Sequence, residues 1–122
     1  LPGENTLNFI IKKGDRSFFY GLDSGWIMYD TWLRIKKERP NAVVFECTLG
    51  FCPGDDRMFG HTGIPMIEIM LETMRAQHGP ADDAKYYTSH MAMTLHGTHE
   101  ELVRQLAPLD VTPAYDGMRI RV

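Results

Sequence analysis

The chain alternates between short apolar runs and polar breaks, and the spacing of each run marks one element. Leu7-Asn8-Phe9-Ile10-Ile11 reads as a strand, Lys13-Gly14-Asp15-Arg16 as a polar turn, and Ser17 to Leu22 as an antiparallel return strand. From Ile27 to Glu38 the period becomes helical: Met28, Trp32 and Ile35 share one face, while Arg34, Lys36 and Lys37 are largely solvated. Pro40 closes that helix. Ala42-Val43-Val44-Phe45 is short, apolar and β-branched, the pattern of a buried parallel strand.

Gly50, Pro53, Gly54, Gly60 and Gly63 then break the chain into a long loop over residues 49–63, of a length that often carries function. Pro65 suits a first helical turn, and Ile67, Met70, Leu71 and Met74 form a helical stripe that Gly79-Pro80 ends. Lys85 to Ser89 reads as a strand ending at His90, and Thr98-His99-Glu100-Glu101 is a capping-box pattern opening a helix through Leu106. Val111 to Tyr115, Asp116-Gly117 and Met118 to Val122 predict a closing hairpin, because Asp-Gly is a strong two-residue turn signal.

The order ββαβαβαββ predicts an α/β (by some schemes α+β) unit, a mixed sheet with its helices on one face. No repeat, low-complexity segment or linker divides residues 1–122, which read as one unit. The unbroken apolar run from Ala42 to Phe45 implies a strand buried on both sides, so the helix-free face calls for cover.

Composition narrows the function classes. At 122 residues, with 43% hydrophobic and 24% charged residues and a net charge of -3, the chain has no electrostatic signature for nucleic acid or an anionic membrane. No apolar run approaches the roughly 20 residues that span a bilayer, and the first residues lack a signal-peptide layout. Cys47 and Cys52 have neither C-x-x-C nor zinc-ribbon spacing. They read as reduced thiols of a cytoplasmic protein. Met66, Met70 and Met74 share a helical face and read as core filler.

Three polar groups fall at or beyond strand ends along one edge of the parallel core: Asp23, His61 and His90. Asp23 or Ser24 has the residue type to cap the following helix. Asp23 with His90 also has the chemistry of a zinc, manganese or iron site, though two ligands fall short of the three or four that protein normally supplies. His61 has the residue type of a general acid, and otherwise reads as a loop histidine near a helix N-terminus. Glu46, set in an apolar strand, is expected to accept hydrogen bonds from loop amides, with orientation of a ligand as its other reading. His78 is explained by a helix C-terminus and His99 by an exposed first turn, while His96 is open. Asp55-Asp56-Arg57 and Asp82-Asp83 read as solvated loop tips. Neither a G-x-x-x-x-G-K loop nor a G-x-S-x-G elbow is present.

Several strings, taken in order, resemble a known family. Asn5 to Ile11, Phe19-Tyr20-Gly21-Leu22-Asp23-Ser24-Gly25, Val43 to Gly50, Gly60-His61-Thr62-Gly63, Thr88-Ser89-His90-Met91 and Ala114 to Met118 look like the later half of a metallo-β-lactamase-fold hydrolase. The nearest branch looks like the phosphonate-pathway cyclic phosphodiesterases and, more distantly, ribonuclease Z. The resemblance implies half of an αββα sandwich whose two divalent ions, zinc or manganese, lie at one edge between two sheets. It implies Asp23 as the metal-bridging aspartate, His90 as the last histidine ligand and His61 as the catalytic proton donor to the leaving group. A metal-activated water would attack a small phosphodiester substrate.

The family's H-x-H-x-D-H motif is absent from this sequence. The resemblance therefore implies a partner half bearing it, in the same or a separate chain, without which these residues alone hold metal weakly or not at all. The other class of function is a non-catalytic structural or interaction half that pairs, with a partner or in a homo-oligomer, through its open sheet face.

Overall fold

The computed structural model describes residues 6–51 and 60–122. Strands β1 (Phe9–Lys13) and β2 (Arg16–Gly21) form a hairpin, followed by helix α1 (Tyr29–Glu38), strand β3 (Ala42–Glu46), helix α2 (Ile64–Ala76) and strand β4 (Lys85–Ser89). Helix α3 (His99–Leu106) runs into a short 3-10 turn, and β5 (Val111–Pro113) is the last strand. The sheet order is β1-β2-β3-β4-β5, with β1 antiparallel to β2 and every other neighbouring pair parallel.

Local sequence accounts for most of these boundaries. Gly14 takes a positive φ of 62° at the first position of the two-residue β1–β2 turn, where a hairpin favours glycine. Pro65 lies in the first turn of α2. Thr98 caps α3 with its hydroxyl accepting from the Glu101 amide, and the Glu101 carboxylate returns a bond to the Thr98 amide at 2.8 Å. The capping box read from the sequence is therefore formed.

Alternation along the strands separates two faces. Phe19, Val43, Phe45, Tyr86 and Val111 pack in one cluster with Ile35 of α1, Ile67 and Leu71 of α2, and Leu102 and Leu106 of α3. All three helices thus cover the same face, and Met66, Met70 and Met74 are buried in α2 as expected. The opposite face carries a smaller cluster of Ala42, Val44 and Tyr87.

The closing hairpin expected from Asp116-Gly117 is not formed. The turn exists, with the Met118 amide donating to the Tyr115 carbonyl at 3.0 Å, but residues 118–122 pair with no strand. β5 stops at Pro113, which has no N–H to donate to a ladder. Met118 and Val122 pack instead against the Ala42, Val44 and Tyr87 cluster. Apolar burial on the helix-free face replaces strand pairing at the sheet edge. No helix among the described residues is long and apolar enough to cross a membrane.

Candidate metal centre

The parallel strands β2, β3 and β4 end at the same edge, and the residues that follow them form the site. The register Gly21↔Phe45 and Glu46↔Ser89 aligns these ends. Asp23 stands two residues beyond β2, Glu46 is the last residue of β3, and His90 directly follows β4. One donor atom from each of Asp23, His61 and His90 lies within 4.8 Å of the others.

Backbone conformation supports this convergence. Among the described residues five non-glycine residues have positive φ, and three of them, Arg39, His78 and Asp110, end helices or helical turns. The other two are Asp23 (φ 53°) and His90 (φ 56°), at strand ends where no helix needs a left-handed stop. Such backbone costs about 1–3 kcal/mol per residue and concentrates at functional sites.

His61 arrives from the loop before α2, and hydrogen bonds fix its short segment. The Leu49 amide donates to the Thr62 carbonyl at 3.1 Å, the Ile64 amide to the Gly50 carbonyl at 2.8 Å, and the Thr62 hydroxyl to the Ser24 carbonyl at 3.1 Å. The loop is thus tied to the ends of both β2 and β3. The His61 and His90 rings lie 5.9 Å apart between centroids, inclined by 24°.

Glu46 is the hub beneath them. It is fully buried, and its Oε2 lies 2.9 Å from His61 Nδ1 and takes the Thr48 hydroxyl. Thr48 Oγ1 is in turn 2.9 Å from His90 Nδ1. Glu46 was expected to bind loop amides; among the described residues it instead binds a hydroxyl and an imidazole. Its Oε1 has no partner among the described residues, an arrangement that buried carboxylates avoid outside special sites. Thr48 had no assigned role in the sequence reading, and its only signal there is its position two residues beyond a buried acid.

Helix capping is excluded for Asp23 and Ser24. The N-cap of α1 is Met28, with no side-chain cap bond, and Ser24 Oγ donates to Asn8 Oδ1 at 3.2 Å. Asp23 is exposed, 3.7 Å from His61 Nδ1. Cys47, next to Glu46, is no thiolate ligand: burial pushes its thiol up to about 12, against the pull of a backbone bond at Gly50, and the Glu46 charge adds to the rise. His96 bonds the Gly97 carbonyl and His99 packs edge-on to Tyr115, so neither joins the cluster. Cys52 and Asp55-Asp56-Arg57 lie outside the described residues. Asp82 and Asp83, read as a solvated loop tip, are exposed and pair with Arg39 and Arg16 respectively.

The donor set suits a divalent transition metal. One carboxylate oxygen and two imidazole nitrogens are acceptable to zinc, manganese or iron, and three protein donors leave a position open for water. Each histidine also has one ring nitrogen held from behind, as ligating histidines do.

No protein-family model matches the chain, and no curated protein matches it significantly.

Proposed function

We propose that this chain is part of a metal-dependent hydrolase, the later half of a metallo-β-lactamase-type sandwich, acting on small phosphodiesters. The observation that carries the reading is the convergence of Asp23, His61 and His90 donors within 4.8 Å, from three separate chain segments. Of the three donors, Asp23 and His90 would hold the metal, zinc or manganese, and His61 is kept for proton transfer. A bound ion activates water and stabilises the charge developing on phosphate. His61, held at Nδ1 by buried Glu46, would present its other nitrogen to the leaving-group oxygen and, when that nitrogen also carries a proton, hand it over and revert to the neutral ring. A two-metal site would need further ligands beyond Asp23 and His90, which an H-x-H-x-D-H segment on a partner half would supply. A buried free thiol at Cys47 fits a reducing, cytoplasmic setting.

Metal analysis of the intact protein tests this reading. Zinc or manganese should copurify in stoichiometric amount and be lost in Asp23→Ala. A metal-free protein, with phosphodiesterase activity unchanged in Asp23→Ala, removes it.

A second reading rests on the helix-free face. Phe9, Ile11 and Tyr20 are exposed there, and the register Phe9↔Tyr20 and Ile11↔Phe18 sets them in one apolar row. This row favours an interaction half that pairs through that face, with Asp23 and His90 playing no catalytic part. Size-exclusion chromatography of the isolated chain checks it: a monomer at high concentration counts against pairing.

A further inference from the structure

We infer that Thr48 is a positioning residue: it relays the hold of Glu46 to His90 and fixes His90 as the Nδ1–H tautomer, with the Nε2 lone pair free for a metal ion. The inference deepens the metal reading above and rests on it for its purpose, but its geometry stands on its own.

Thr48 Oγ1 carries one hydrogen and has three groups in reach: Glu46 Oε2, His90 Nδ1 at 2.9 Å and the His90 carbonyl oxygen at 2.9 Å. Glu46 Oε2 is the nearest of them. That oxygen also faces His61 Nδ1 at 2.9 Å as an acceptor, and a buried acid most needs donors. Sending the proton to the carbonyl instead would leave hydroxyl and carboxylate lone pairs facing each other at their closest approach. The hydroxyl therefore donates to Glu46. Its own lone pairs then face His90 Nδ1, and only a protonated Nδ1 makes that contact a hydrogen bond.

The same carboxylate oxygen takes His61 Nδ1–H directly, at 2.9 Å. One buried acid thus sets both imidazoles: His61 by direct hydrogen bond, and His90 through one hydroxyl, since its Nδ1 stands 3.6 Å from Glu46 Oε2, beyond a hydrogen bond. Threonine suits the relay because it is mostly buried and β-branched, which limits its χ1 wells and keeps Oγ1 on this line. The left-handed backbone at His90 (φ 56°) brings both its carbonyl and its ring back towards Thr48.

Long-range proton–nitrogen NMR on the intact protein, labelled at histidine nitrogens and free of metal, reads the tautomers directly. The measurement is made well above the ordinary histidine pKa of about 6.5, so that both rings are neutral. Wild-type His90 should be the Nδ1–H form. Thr48→Val, close in shape but without the hydroxyl, should move His90 to the Nε2–H form while His61 stays as Nδ1–H. Thr48→Ser should restore the wild-type pattern, and its restored spectrum shows that any change in the valine variant is not general unfolding. Zinc titration should then show affinity 10- to 100-fold weaker in Thr48→Val than in Thr48→Ser, the loss typical of an outer hydrogen-bond partner. A wild-type His90 in the Nε2–H form, or one whose tautomer ignores Thr48→Val, overturns the inference. Correct tautomers in a protein that takes up no zinc overturn the metal reading alone.

Discussion

His61 Nδ1 lies 2.9 Å from Oε2 of Glu46, a carboxylate with no exposed surface. The imidazole is thereby oriented from below by a group that water does not reach, while part of its ring remains accessible. A histidine so held gives up a proton from its other nitrogen to a group above it. On the proposed phosphodiesterase reading, His61→Ala should slow hydrolysis of alkyl phosphodiesters by the intact protein with added zinc or manganese by about 10²–10⁴-fold. Aryl esters, whose leaving oxygen needs no proton, should lose far less. Equal losses for both classes of leaving group would show that His61 is not the proton donor.

The sheet was legible because its strands carry strong local signals: β4 runs from Lys85 to Ser89 as read, and Thr98 with Glu101 announced α3. The closing hairpin was misread because Asp116-Gly117 does make a turn, yet turn chemistry says nothing of where the returning segment goes. Met118 and Val122 are drawn to a neighbouring apolar cluster that only the assembled sheet creates. At the site, the sequence set Asp23, His61 and His90 along one sheet edge, with Asp23 and His90 as metal ligands and His61 as a general acid, and the structure brings the three side chains together. The inner layer was illegible, since nothing local tells whether a buried Glu46 meets amides or the side chains of Thr48 and His61. That depends on β3 and β4 lying side by side, with Glu46 opposite Ser89.

Asp23 separates stability from function. Its φ of 53° is strained for any residue with a Cβ, and its neighbour His61 has Nδ1 3.7 Å from the carboxylate. Asp23→Gly should relieve the backbone, whereas Asp23→Ala removes the carboxylate and keeps the strain. The glycine variant is expected to be more stable than the alanine variant by about 1 kcal/mol in denaturant unfolding. Both should lose metal affinity. Equal stabilities for the two variants would mean that the left-handed turn carries no cost.

Gly50 is the hinge on which the His61 loop hangs. It has a φ of 53°, and a Cβ there would stand 2.6 Å from His96 Cβ and 2.9 Å from the Leu95 carbonyl oxygen. Gly117 also has positive φ, at 85°, but a Cβ there meets nothing within 4 Å. Gly117→Ala should therefore show backbone strain alone, about 1 kcal/mol. Gly50→Ala adds a clash to that strain and displaces the carbonyl that receives the Ile64 amide. It should cost more than the Gly117 variant in thermal unfolding and lower any hydrolytic activity with it. A Gly50→Ala protein as stable as Gly117→Ala would deny the loop its dependence on this close approach.

Cys47 gives the fold a measurable alkaline signature. Burial raises its thiol from 9.0 to about 12, so the folded protein holds this proton after the unfolded chain has released it. Between those values the unfolded state binds fewer protons than the native state, and stability falls as pH rises. One such thiol gives a slope of about 1.4 kcal/mol per pH unit within the window and none from this group below it. Cys47→Ala should flatten that part of the pH–stability curve, offset by a lower plateau from lost packing. At pH 8 the folded thiol should resist alkylation for as long as the protein stays folded, and peptide mapping should find Cys47 labelled only in denaturant. Rapid labelling of Cys47 in the native protein would contradict both its burial and its raised pKa.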